Sequence, residues 1–192
     1  MGSRSWTFFQ AFLKSPRVVA SMIPSSPFLE RRLVEAGRLA TAATVVELGS
    51  GTGGTTRAIL DALGPQARLL AIERTKEFVD ALSRIDDPRL DVVHGCASTL
   101  CSELERRGIH TADAVISGIP FSTMSPHLAR TIVEEIHKAL APRGRFVAYQ
   151  FTDRVADYAR PVFDRPRVQH ELRNVPPLKV YTWEKAADTA AA

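Results

Sequence analysis

Residues 45–56, Val45-Val46-Glu47-Leu48-Gly49-Ser50-Gly51-Thr52-Gly53-Gly54-Thr55-Thr56, constrain this chain more than any other stretch. A short apolar run carrying one acid is followed by glycines at alternate positions and then by residues able to open a helix. That order reads as strand, tight turn and helix N-terminus. Glycine takes positive φ without strain and lets a ligand lie against the main chain. The first N–H groups of the helix have no partner within it and face whatever occupies the turn. Such a turn receives a nucleotide-like ligand; a glycine-rich surface turn with no ligand is the alternative.

The glycine spacing fits two ligands. Gly49, Gly51 and Gly54 satisfy the dinucleotide pattern G-x-G-x-x-G, whereas Glu47-x-Gly49-x-Gly51-x-Gly53 is the acid-led pattern of S-adenosylmethionine (SAM) sites. Glu47 separates them. A carboxylate just ahead of the loop attracts or orients the cationic methionine end of SAM and repels a pyrophosphate. Arg68-Leu69-Leu70-Ala71-Ile72-Glu73 then reads as a buried strand ending in an acid about twenty residues past the loop, where a carboxylate takes both ribose hydroxyls of an adenosine group. Its alternative role is to cap a helix beginning near Thr75. Crossovers of one hand return the chain to one sheet edge, so Glu73 and the glycine loop are expected to be neighbours.

The remaining elements follow in order. Ser26 and Pro27 open a helix with an apolar stripe of Phe28, Leu29, Leu33 and Val34, while Arg31 and Arg32 face out. Residues 55–63 form a crossover helix stopped by Gly64-Pro65, residues 90–94 a third strand, 99–107 a helix, and 112–117 a fourth strand running into Gly118-Ile119-Pro120-Phe121. Residues 131–140 form a helix, 141–144 a turn and 145–151 a fifth strand. Strand-like runs at 168–175 and 178–183, split by Pro176-Pro177, predict an antiparallel hairpin that closes the sheet. The fold class expected is α/β: a Rossmann-like, seven-stranded, mostly parallel sheet with a C-terminal antiparallel hairpin, preceded by N-terminal helices. At 192 residues the chain is expected to form a single domain, with residues 1–40 as a helical lid or docking segment, 41–185 as the SAM-binding core and 186–192 as a frayed tail.

Charge is unevenly placed. Residues 1–40 carry six Lys/Arg against two Asp/Glu, residues 41–142 ten against thirteen, and residues 143–192 nine against six. Basic ends suit anionic material, either lipid head groups or nucleic acid phosphates; solvated cations without a partner are the alternative. Within the first segment Trp6, Phe9 and Leu13 share one helical face, which Phe8 and Phe12 widen, and Arg4, Lys14 and Arg17 flank it. An interfacial helix lying among head groups has this composition, and so does a lid packed on its own domain. No apolar run is long enough to span a bilayer. Cys96 and Cys101 are too few for a disulfide framework, and His94, His110, His127, His137 and His170 show no metal-ligand spacing, so no metal is expected and a reducing cytoplasm is the simplest location.

At this point the motifs resemble a class I SAM-dependent methyltransferase over nearly the whole chain. Glu47-Leu48-Gly49-Ser50-Gly51-Thr52-Gly53 resembles the cofactor loop, Glu73-Arg74 the ribose acid and its neighbour, Cys96-Ala97 the adenine-facing turn, and Ser117-Gly118-Ile119-Pro120-Phe121 the substrate-side loop. Within the class the chain looks most like the bacterial phospholipid N-methyltransferases. The likeness is carried by the aromatic N-terminal stretch, Ser15-Pro16-Arg17-Val18-Val19-Ala20-Ser21-Met22-Ile23-Pro24-Ser25-Ser26, and the closing Val175-Pro176-Pro177 with Val180-Tyr181. It implies an enzyme that methylates the amine of phosphatidylethanolamine and its partly methylated derivatives while docked peripherally on the inner face of the membrane. The implied substrate residues are Met22, Ser25, Gly118, Ile119, Pro120, Phe121 and Tyr149. The implied docking residues are Trp6, Phe8, Phe9, Phe12, Leu13, Lys14 and Arg17.

Two departures matter. The class commonly has an acid at the adenine turn, where this chain has Cys96. The rRNA adenine dimethyltransferases have an asparagine-led N-x-P-aromatic loop, and Gly118 stands where that asparagine would be, which weakens a nucleic-acid acceptor. No residue stands out as a general base; His127, near the substrate-side loop, reads as a helix-capping histidine. Two other readings stay open: a SAM-dependent methyltransferase of RNA adenine or of a soluble small molecule, with the aromatic helix as a lid, and a non-catalytic SAM-fold binding protein.

Overall fold

The computed structural model describes residues 25–187. Its elements are α1 (Pro27–Gly37), β1 (Thr44–Leu48), α2 (Gly54–Ala62), β2 (Arg68–Glu73), α3 (Lys76–Leu82), β3 (Leu90–His94), α4 (Leu100–Glu105), β4 (Ala112–Ser117), α5 (Pro126–Ala139), β5 (Leu140–Gln150), α6 (Arg154–Ala159), β6 (Arg167–Glu171) and β7 (Leu178–Glu184). The seven strands form one sheet in the order β3-β2-β1-β4-β5-β7-β6. β1 to β5 are parallel, and β7 runs antiparallel to both β5 and β6. This is the Rossmann-like, mostly parallel sheet with an antiparallel end that the sequence predicts. The strand order reverses between β1 and β4, and at such a reversal a crevice opens outside the carboxyl ends of the strands.

Alternation along the central strands supplies two cores, one on each face. Val46, Leu48, Leu70, Ile72 and Val115 pack with Leu100, Leu104, Ile132, Val133 and Ile136 on one side. Val45, Leu69, Ala114 and Ile116 pack with Leu29, Leu33, Ile59 and Leu60 of α1 and α2 on the other. Glu47 shares the parity of Val45, so its carboxylate is delivered beneath α2.

Several boundaries differ from expectation, each for a local reason. Helix α5 begins at Pro126, five residues before 131, because Ser125 caps it by accepting from Leu128 N–H at 3.3 Å and Pro126 occupies its first turn. The anticipated turn at 141–144 is a bulge inside β5: the register against β4 shifts between Ala112 and Ala114, and Arg143 takes φ +61°. Helix α6 was not foreseen. The strand expected over 168–175 stops at Glu171, where the chain turns back toward β7. In α1, Ser26 accepts from Leu29 N–H at 3.2 Å and Leu29, Leu33 and Ala36 are buried, but Phe28 leaves the apolar stripe and is exposed, while Arg32 is drawn inward to Glu171.

Candidate active site

The glycine loop follows β1 with Gly49, Gly51 and Gly53 at φ +76°, +54° and +85°, a run of left-handed backbone that only glycine holds without strain. Gly49 N–H donates to Ile72 O at 2.9 Å and Gly53 N–H to Ser50 O at 3.1 Å, which fixes the turn against β2. Glu73, at the end of β2, accepts from Gly51 N–H at 3.0 Å through Oε2 and from Arg74 and Thr75 N–H at 2.8 Å through Oε1. The loop and the acid are therefore direct neighbours. Glu73 also ties the residues that lead into α3, so both readings of this carboxylate have a structural basis.

Glu47 lies under the loop and is 1% exposed. Its Oε2 accepts from Thr56 Oγ1 at 2.6 Å, while Oε1 and the nearby Ser50 Oγ are buried without a hydrogen-bonding partner. Burial pushes the Glu47 carboxyl up to about 7, against the smaller opposing effect of the Thr56 hydrogen bond and with the help of Glu73. An orphaned carboxylate oxygen beneath a glycine cradle is a polar group awaiting a donor or a cation. These residues fit SAM, whose methionine end carries an ammonium group.

A cavity of about 500 Å3 opens at the carboxyl edge of the sheet. Gly49, Ser50, Gly51, Thr52, Glu73, Arg74, Cys96, Ala97, Gly118, Ile119, Pro120, Tyr149 and Ser25 all line it. Glu47 and Gly53 sit behind that wall, Ser117 is fully buried, and Phe121 is a core residue under the Gly118–Pro120 turn rather than a wall residue. The sequence reading missed Thr55, Thr123, Met124, Ser125, Leu128 and Ile132, which also face the cavity. For Leu128 and Ile132 the signal was the apolar stripe of α5, visible once the helix is started at Ser125. Met22 and the aromatic and basic residues Trp6, Phe8, Phe9, Phe12, Leu13, Lys14 and Arg17 lie outside the described residues, as does the 188–192 part of the tail.

Part of the cavity wall is apolar, supplied by Ile119, Pro120, Met124, Leu128 and Ile132. Two contacts shape its polar side. Ser25 Oγ and Thr55 Oγ1 are hydrogen-bonded at 3.1 Å, and Gln150 Nε2 donates to Ile119 O at 2.8 Å, pinning the Gly118–Pro120 turn. The Tyr149 hydroxyl lies directly over Gly118, where a Cβ would fall inside the van der Waals envelope of Oη. A side chain at 118 would have to displace that phenol and would also meet Gly49 O at 3.1 Å. Burial and the charge of Glu47 hold the Tyr149 phenol in its protonated form, with a hydrogen bond to Thr55 acting the other way. Cys96 Sγ accepts from Ser98 Oγ at 3.2 Å at the turn after β3. Among the described residues no group of His, Cys, Asp and Glu could hold a metal ion, and no helix is long and apolar enough to cross a membrane.

Known proteins are similar to this chain in family and in fold. Residues 46–146 match a family described as a methyltransferase domain. An ornithine lipid N-methyltransferase of Singulisphaera acidiphila is 36% identical over 179 residues, covering 91% of this chain and 92% of that protein. The fold is similar to TrmN from Thermus thermophilus (TM-score 0.68, 16% identity, 82% of this chain but 48% of TrmN). It is also similar to the N-methyltransferase NodS from Bradyrhizobium japonicum, solved with S-adenosyl-l-homocysteine (TM-score 0.62, 14% identity, 83% of this chain and 88% of NodS). A glycine cradle over a buried acid at the sheet's reversal point, together with a matching family over half the chain, identifies the cofactor as SAM, and the chain belongs to the class I SAM-dependent methyltransferases.

Proposed function

We infer that this enzyme transfers methyl groups from SAM to the amine of a membrane lipid, acting peripherally on the cytoplasmic side. The observation that carries the reading is the 36% identity to an ornithine lipid N-methyltransferase, which extends over nearly the full length of both chains. The cavity agrees with it. Part of its wall is apolar, and among the described residues Arg74, next to Glu73 in sequence, is the one lysine or arginine that lines it. Such a wall favours the uncharged form of an amine, the form with a free lone pair.

SAM supplies a methyl group on a sulfonium, which departs as a neutral thioether when a nucleophile takes the methyl. The chain's contribution is to bind, orient and exclude water. Glu47, beneath the loop, holds the cationic methionine end, Glu73 takes the ribose hydroxyls, and Cys96-Ala97 face the adenine. On the acceptor side, the carbonyls near Ser117 and Gly118 and the Tyr149 hydroxyl orient the amine. As the N–CH3 bond forms the nitrogen becomes cationic, and the proton it must shed before a second methylation leaves to solvent. Met22 and Ser25 complete the substrate side, and the Trp6, Phe8, Phe9, Phe12, Leu13, Lys14 and Arg17 segment docks on the head groups. Phosphatidylethanolamine and ornithine lipid both offer a primary amine beside an anionic group.

The deciding experiment is transfer of labelled methyl from SAM to vesicles containing phosphatidylethanolamine, to vesicles containing ornithine lipid, to vesicles with neither, and to total RNA. Label is expected in a lipid fraction only where an amine lipid is present. Label in RNA, or none in any lipid while SAM still binds, moves the acceptor elsewhere.

A further inference from the structure

Among the described residues four large apolar side chains are exposed: Phe28 (42%), Val168 (43%), Leu172 (73%) and Val175 (61%). Three of them meet at one place. Leu172 and Val175 lie in the turn between β6 and β7, and Arg173, between them, lays its guanidinium over the Phe28 ring, 4.1 Å from the centroid. The turn is firmly held. Buried Glu171 accepts from Arg173 Nε and from Arg32 Nε, each at 3.0 Å, and buried Asn174 accepts from Ser26 N–H at 3.0 Å while donating to Pro176 O at 2.9 Å. Polar groups turned inward thus hold apolar ones out, an arrangement that exposes leucine and valine on a rigid mount.

Position adds meaning. Because β7 is antiparallel to β5, the turn that precedes β7 projects from the carboxyl edge of the parallel strands, the edge on which the cavity opens. Ser26, bonded to Asn174, adjoins Ser25, which lines that cavity and bonds Thr55. The apolar turn and the cavity's lip are therefore one continuous surface.

Charge selects the occupant. Arg31, Arg32 and Arg173 lie at the patch; Arg32 and Arg173 share buried Glu171, Glu30 follows Phe28 on α1, and a modest excess of positive charge remains. Residues 1–24 carry Arg4, Lys14 and Arg17 and no acid, so their charge does not complement this surface. A second copy meeting it face to face would oppose like charges in the same way. An anionic bilayer complements both the patch and the N-terminal segment, and takes up exposed leucine, valine and phenylalanine besides. We propose that the β6–β7 turn, with Phe28, is a membrane-insertion site that seats the lip of the active-site cavity on an anionic lipid surface. This rests on the lipid-amine reading above.

The test uses the full chain and phosphatidylglycerol–phosphatidylcholine vesicles, which contain no amine acceptor, so docking is read independently of methylation. The double variant Leu172→Ser/Val175→Ser is expected to partition about tenfold or more weakly, with SAM affinity and thermal midpoint unchanged. Arg31→Glu, at an exposed site, is expected to weaken partition at low salt more than at high salt. Unchanged partition in both overturns the proposal. So does a lowered thermal midpoint without vesicles combined with unchanged partition, which would make the patch a seat for residues 1–24. Docking that depends on Leu172 and Val175, with no lipid amine methylated, supports this proposal and sinks the acceptor reading instead.

Discussion

At the scale of single residues, Glu47 carries the sharpest consequence. Its carboxyl titrates near 7 in the folded chain against an ordinary value of 4.5, so between those values the folded state binds more protons than the unfolded one and stability falls as pH rises. Below 4.5 both states hold the proton, and above 7 the deficit is constant, at most of order 3 kcal/mol. In the role proposed for Glu47, cofactor binding favours the ionised form and below pH 7 must expel the proton. SAM affinity is therefore expected to rise through pH 7, with a proton released on binding that calorimetry in buffers of different ionisation enthalpy will count. Glu47→Gln is expected to lose SAM affinity by about 10- to 100-fold, to release no proton, and to be more heat-stable than the wild type above pH 7. A variant that keeps both affinity and proton release would remove Glu47 from the site. The acid and its glycines were legible in the sequence because they stand in one short run with a fixed period. The Ser25–Thr55 and Tyr149–Gly118 contacts were not, because each joins residues some thirty positions apart that only the sheet brings together.

At the scale of elements, the parallel strands were readable since each is a short apolar run bounded by turn residues, and β1 to β4 match expectation closely. The later boundaries failed where local signals competed. Residues 168–175 are all compatible with a strand by composition, yet Asn174 is pulled into the protein to satisfy Ser26 N–H and Pro176 O, and the chain turns after Glu171 instead. Removing that clamp should loosen the hairpin from α1. Asn174→Ala is expected to lower stability by about 1–3 kcal/mol, read as an earlier midpoint in urea, because two main-chain groups lose a buried partner. An unchanged midpoint would mean that Glu171 with its two arginines suffices to hold the turn.

At the scale of the whole molecule, the glycine loop, the cavity and the exposed hairpin turn all gather on one edge of one sheet, while the opposite edge carries none of them. Under the lipid-amine reading proposed above, an enzyme so arranged works from one side of a bilayer. On sealed vesicles labelled methyl is expected to plateau at the outer-leaflet share of the amine lipid and to resume when the vesicles are ruptured. Complete conversion without rupture, with no lipid flip-flop, would contradict that one-sided geometry. Because the Tyr149 hydroxyl passes over Gly118, positions 118 and 149 are coupled: a side chain at 118 would have to push the phenol aside and would still meet Gly49 O at 3.1 Å, so a larger residue at 118 calls for a compensating change at 149 and in the glycine loop.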